Sequence, residues 1–146
     1  MRRNQPAPRH RQETALCLLF DEAPHRLRGR TYVQKVMFLF QQRADEDWFS
    51  FGASDYGPFS PGLYQVLDYC IEYDYVTEST TEDEHGRVRY HYDAGPAVGE
   101  VFGHSDHGEL REVARGVFED YPTDDLPALL DATFTEYPEW ARNAVY

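Results

Sequence analysis

The chain has 146 residues, 41% of them hydrophobic and 27% charged, with a formal net charge of −12. That length is most simply one domain, large enough to build a hydrophobic core without covalent staples. No apolar run approaches a membrane span, and the arginine-rich start lacks the apolar stretch of a secretory leader, so a cytoplasmic protein with no membrane partner is expected.

The opening "MRRNQPAP" has two prolines and no hydrophobic period, and residues 1–9 read as a flexible basic arm. Ala15, Leu16, Leu18, Leu19 and Phe20 mark a first helix from about residue 10 to 23, interrupted by "PHRLRGR". A second helix is expected to start at Thr31 as cap and to run to about Arg43, with Val33, Val36, Met37 and Phe40 on one face. "DEDWFSFGASDYGPF" reads as a loop or short extended segment. Ser60 then offers a cap and Pro61 a first-turn residue for a third helix, which carries Leu63, Val66, Leu67, Cys70 and Ile71 as one stripe and ends near Asp74. "YVTEST" and "RVRYHYD" are β-branched and aromatic runs that predict a hairpin with Gly86 in its turn. Two further helices follow, one over Glu109–Tyr121 and one opened by Asp124 or Asp125 and stopped by Pro138.

Three helices followed by a two-stranded hairpin is the element order of a winged helix-turn-helix domain. The predicted class is therefore α+β and mainly helical. Residues 10–95 form the winged-helix domain, and residues 96–146 form a helical extension that packs on it or makes a dimer interface. The third helix stands in the recognition position and the hairpin is the wing.

The residues that carry a family likeness lie in the same region. "GRTYVQKVMFLFQ" followed by "FGASDYGPFSPGLYQVLDYCIEYDYVTE", with the closing "LLDATFTEYPEW", resembles the YwgA-like predicted regulators over residues 12–142. The pattern is more distantly similar to the SocA-like Panacea antitoxin domain. The resemblance implies a winged-helix-like fold and a regulatory, viral or defence-associated role. The matched positions are Gln34, Lys35, Tyr56, Gly57, Pro58, Phe59, Ser60, Tyr137 and Pro138, all of which can be read as fold determinants.

Charge is unevenly spread. Residues 1–43 hold nine basic residues against three acidic ones, whereas the remainder holds five against twenty-three. Lys35 is the only lysine. Abundant carboxylates with almost no lysine resemble the proteins of salt-in halophiles, whose surface carboxylates keep them soluble where salt screens ordinary repulsion. Double-stranded DNA is the first partner considered. Arg26, Arg28, Arg30 and Lys35 can follow a phosphate backbone, Arg87 and Arg89 can do so from the wing, and Gln65 is the one base-reading type on the third helix. Asp68 and Glu72 on the same outward face oppose standard groove docking. The basic residues can equally pair with the chain's own acidic half.

The alternative is a protein-interaction module of antitoxin type. Aromatic residues make up 15% of the chain, and Tyr64, Tyr69 and Tyr90 are the candidate contacts on the third helix and wing. A homodimer through the C-terminal helices is a further expectation. No catalytic residues, cofactor or metal are predicted. His104 and His107 lack a surrounding zinc motif, His85 and His91 fit a wing surface, and no phosphate loop or nucleophile elbow occurs. Cys17 and Cys70 read as buried free thiols with no partner cysteine nearby.

Overall fold

The computed structural model describes residues 7–55 and 57–141. Among them are five α-helices and two small antiparallel sheets of two strands each, an α+β arrangement. In chain order these are α1 (Arg9–Glu22), α2 (Arg30–Ala44), β1 (Gly52–Ser54), β2 (Gly57–Phe59), α3 (Pro61–Glu72), β3 (Val76–Glu82), β4 (Val88–Ala94), α4 (Gly108–Asp120) and α5 (Leu126–Glu136). Single turns of 3-10 helix cover Val98–Val101 and Pro138–Ala141.

The centre of the molecule is α2, in which every residue from Tyr32 to Gln41 is buried. A helix buried on all sides needs neighbours on all sides. Here they are α1, α4, α5 and the β1–β2 hairpin. Ala114 and Val117 of α4 and Leu129 of α5 join the same buried cluster as the residues of α1–α3. Three polar side chains inside α2 would be costly if unpaired. Gln34 instead donates to the Ser60 carbonyl and accepts from the Ser60 N–H, both at 2.8 Å. Gln41 does the same to Phe49, at 2.9 and 2.8 Å. Lys35 donates to the Pro58 carbonyl at 2.8 Å. Side chains of α2 thus satisfy backbone groups of the 45–60 segment that lie beside and outside the β1–β2 pairing.

Several local expectations are corrected. Thr31 does not cap α2; the N-cap is Gly29, at φ 109, with no side-chain bond to the helix. Ser60 is the N-cap residue of α3, but its side chain makes no cap bond, and Gln34 holds its backbone instead. Arg9, assigned to the flexible arm, is the first residue of α1, while Arg2 and Arg3 lie outside the described residues, as does Tyr56. The segment expected as a loop or short extended stretch does join α2 to α3, and it carries the short β1–β2 hairpin. Asp125 does open α5, its carboxylate accepting from the Ala128 N–H at 3.2 Å.

The β3–β4 hairpin is fixed at its base. Asp74, at φ 63, reverses the chain after α3. The Gly95 N–H bonds the Tyr75 carbonyl at 2.8 Å. A Cβ at Gly95 would land on the Asp74 carbonyl oxygen, so only glycine allows this approach. On its other edge β4 pairs with the chain before α2. Leu27 and Tyr92 exchange both backbone hydrogen bonds, at 3.0 and 2.9 Å. No helix among the described residues is long and apolar enough to cross a membrane.

Candidate nucleic-acid interface

The register of the hairpin separates two chemistries. Val76, Glu78, Thr80 and Glu82 of β3 share a face with Ala94, Tyr92, Tyr90 and Val88 of β4. The opposite face carries Thr77, Ser79 and Thr81 beside Asp93, His91 and Arg89. Leu27, paired with Tyr92, belongs to the first face, which is the inner one, so alternation places Arg26 and Arg28 on the second, outer one.

On the outer face His91 is 5% exposed. Its Nε2 lies 2.8 Å from the Thr81 hydroxyl, and among the described residues its buried Nδ1 has no partner. Burial lowers the imidazole pKa first, and the charges of Arg26, Arg28 and Arg89 lower it further. Burial thus holds the ring neutral, and three guanidinium charges on the same face act in the same direction. Arg26 and Arg89 are exposed and form no ion pair with another described residue. Arg28 donates to the Asp124 carbonyl at 2.7 Å, a contact that fixes the group and leaves it charged with donors to spare. His25 secures the same edge, with Nδ1 2.9 Å from the Arg26 carbonyl and Nε2 3.0 Å from the Thr123 hydroxyl. Asp93 is a carboxylate on this face, at the base of the hairpin, and the charge of Arg89 is also felt by Asp83 at the tip. At the tip Arg87 pairs with Asp83 at 3.0 Å, and the Asp83 carboxyl is held below its usual range first by the backbone N–H of Arg87.

The inner face is closed on itself. Arg30 reaches Asp68 at 2.6 Å and Glu78 at 3.4 Å, and its Nε donates to the Tyr92 hydroxyl at 3.0 Å. Tyr92 in turn donates to Glu78 at 2.7 Å. The guanidinium also lies 5.3 and 5.6 Å from the Tyr64 and Tyr92 ring centroids. Burial works against its charge, but the bonds to Asp68 and Tyr92 outweigh it and raise the pKa. Burial and the bond to Glu78 push Tyr92 up to about 12. Arg30, Glu78, Tyr90, Tyr92 and Gly29 line a cleft of about 550 Å³.

The structure therefore sorts the predicted contacts. Arg26, Arg28 and Arg89 come together, with Arg87 at the tip. Arg30 is spent on the protein's own carboxylates. Lys35 is corrected outright: it is 2% exposed, bonded to Pro58 O, and burial brings its pKa down to about 8, so it cannot reach a backbone outside. Gln65 is exposed but lines a separate cleft with Arg9, Gln12 and Phe49. Among the other early basic residues, Arg11 pairs with Glu46 at 3.1 Å and Arg43 with Asp120 at 2.7 Å. Tyr64 packs between Phe59 and Arg30, Tyr90 is 49% exposed in the inner cleft, and Tyr69 stacks on Tyr73. Tyr64 and Tyr90 both border Arg30, whereas Tyr69 pairs with Tyr73.

His91, read as a surface residue, is a second correction: the Arg26–Arg28 segment and Thr81 enclose it. A third concerns the cysteines. Both are buried and free, but the fold brings their sulfurs within 4.0 Å, across the α1–α3 contact. Among the described residues no group of three or more His, Cys, Asp or Glu is placed to hold a metal ion. Compared with known families, with curated proteins and with solved structures, the chain finds no match.

Proposed function

We propose that the chain is a cytoplasmic, double-stranded-DNA-binding regulator of winged-helix type whose wing, and not α3, grips the phosphate backbone. The observation that carries this reading is the convergence of Arg26, Arg28 and Arg89 on one sheet face of a protein whose net charge is −12. In so acidic a chain, guanidinium groups on one face that form no ion pair among the described residues are a local reversal of sign. Phosphate is the ligand such a face attracts, with Ser79 as a neutral donor beside them. The outward residues of α3 include Asp68 and Glu72, both exposed, which repel phosphates and keep that helix out of a groove.

The test is a fluorescence-anisotropy titration with a short duplex between about 50 and 200 mM KCl. Three phosphate contacts give a slope of log K against log salt near −2.7, about −0.9 per contact. Replacing Arg26 and Arg89 by glutamine is expected to flatten the slope by about two and weaken binding by more than about tenfold. An unchanged slope in that variant overturns the assignment.

A further inference from the structure

At the end of α3 three tyrosines form a ladder. The Tyr69 and Tyr73 ring centroids are 4.5 Å apart, and Tyr73 and Tyr75 are stacked at 6.1 Å with 25° between their planes. Backbone bonds make the ladder rigid. Tyr73 N–H bonds the Tyr69 carbonyl at 3.2 Å, and Tyr75 N–H bonds the Cys70 carbonyl at 2.9 Å. The left-handed Asp74 between them turns Tyr75 back onto Tyr73, and Gly95 locks that turn from behind.

We propose that this ladder is a docking surface for an arginine-bearing segment of a protein partner. Two features point to that occupant. First, one guanidinium already sits there: Arg9 Cζ lies 5.6 Å from the Tyr69 centroid, which leaves Tyr73, 51% exposed, as the next open rung. Second, the surroundings are acidic. Glu72 and Asp74 flank Tyr73 in the chain and are exposed. Glu13 and Glu100 lie close enough to help raise the Tyr75 phenol pKa, after burial. None of these four carboxylates has an ion-pair partner among the described residues. Negative charge around aromatic faces suits a cation that can stack, and guanidinium stacks flat where ammonium cannot. The same charge repels nucleic acid, so this surface is separate in kind from the arginine face of the wing.

The probe is a fluorescein-labelled peptide of alternating arginine and glycine, compared with its lysine twin in about 1 M KCl, where general attraction to an acidic protein is screened within ~3 Å. The intact chain is expected to bind the arginine peptide more tightly than the lysine one. Tyr73→Ala, which removes an exposed ring and no charge, is expected to weaken the arginine peptide about fivefold or more, and Tyr73→Phe to keep it. Equal binding of both peptides, no binding by the intact chain, or a Tyr73→Ala variant that binds normally while its circular dichroism is unchanged overturns the proposal. The Arg26→Gln, Arg89→Gln variant is expected to bind the peptide like the parent, so this surface and the DNA-binding reading fail separately.

Discussion

The inner and outer faces of the β3–β4 hairpin both set arginine beside a ring, and they use it oppositely. Inside, Arg30 is surrounded by Asp68, Glu78 and the rings of Tyr64 and Tyr92, and its charge is consumed in holding α2, α3 and the hairpin together. Outside, the charges of Arg26, Arg28 and Arg89 join burial in keeping the His91 imidazole neutral. The partition follows from strand parity. In "VTESTTE" the glutamates Glu78 and Glu82 fall on the inner face and Thr77, Ser79 and Thr81 on the outer one. A slip of one residue would exchange carboxylates for hydroxyls and neutralise the outer face. How many arginines a chain has says little about which of them are available; the register decides.

The largest expected effect lies inside. Arg30→Met removes two short charge-assisted bonds and leaves Glu78 without its cation, at a cost of about 2 kcal/mol after allowing for the exposure of Asp68. Arg89→Met on the outer face should change stability by less than about 0.5 kcal/mol. Urea unfolding of the two variants checks the contrast, and equal losses would erase the distinction between the faces. A smaller effect sharpens it. Tyr92→Phe keeps the buried ring but removes the hydroxyl that links Arg30 to Glu78, and about 1 kcal/mol should be lost. Adding Tyr92→Phe to Arg30→Met should cost less than it does alone, because the two side chains share one network.

The helices on either side of this hairpin are readable from apolar spacing and Gly86 from its turn composition, while the choice between Asp124 and Asp125 at the start of α5 falls to Asp125. Gln34, Lys35 and the Gly-Pro-Phe-Ser stretch, read as fold determinants, do act in the fold, with Gln34 gripping both backbone groups of Ser60 and Lys35 bonding Pro58 O. What spacing could not reveal is which distant segments meet. The single bridge between Leu27 and Tyr92 gathers Arg26 and Arg28 beside Arg89, and no local pattern encodes a pairing over that separation. Arg30 and Lys35 look as available as Arg26 on paper. Asp68, 38 residues on, takes the first, and the core takes the second. His91 sits on an alternating strand whose other outer residues are polar, so its burial comes from the neighbouring segment and not from its own strand.

The smallest effect follows from that burial. Well above pH 6.5 the imidazole is neutral in the folded and the unfolded chain, and it contributes no pH dependence. As pH falls through 6.5 the unfolded chain takes up a proton that the folded site, buried and under the charges of Arg26, Arg28 and Arg89, refuses until a lower pH. The unfolded state then binds more protons, so stability is present above 6.5 and declines as pH drops toward the folded value. His91→Gln can keep a bond to Thr81 and cannot titrate, so its unfolding midpoint should fall less between pH 7.5 and 5.5 than that of the parent. Carboxylates common to both proteins cancel in that difference. If a duplex lies on the outer face, its phosphates offset the arginine charges and let the imidazole accept a proton more easily. DNA should therefore shrink the difference between parent and variant. A difference that appears without DNA and survives its addition would place the duplex somewhere other than beside His91.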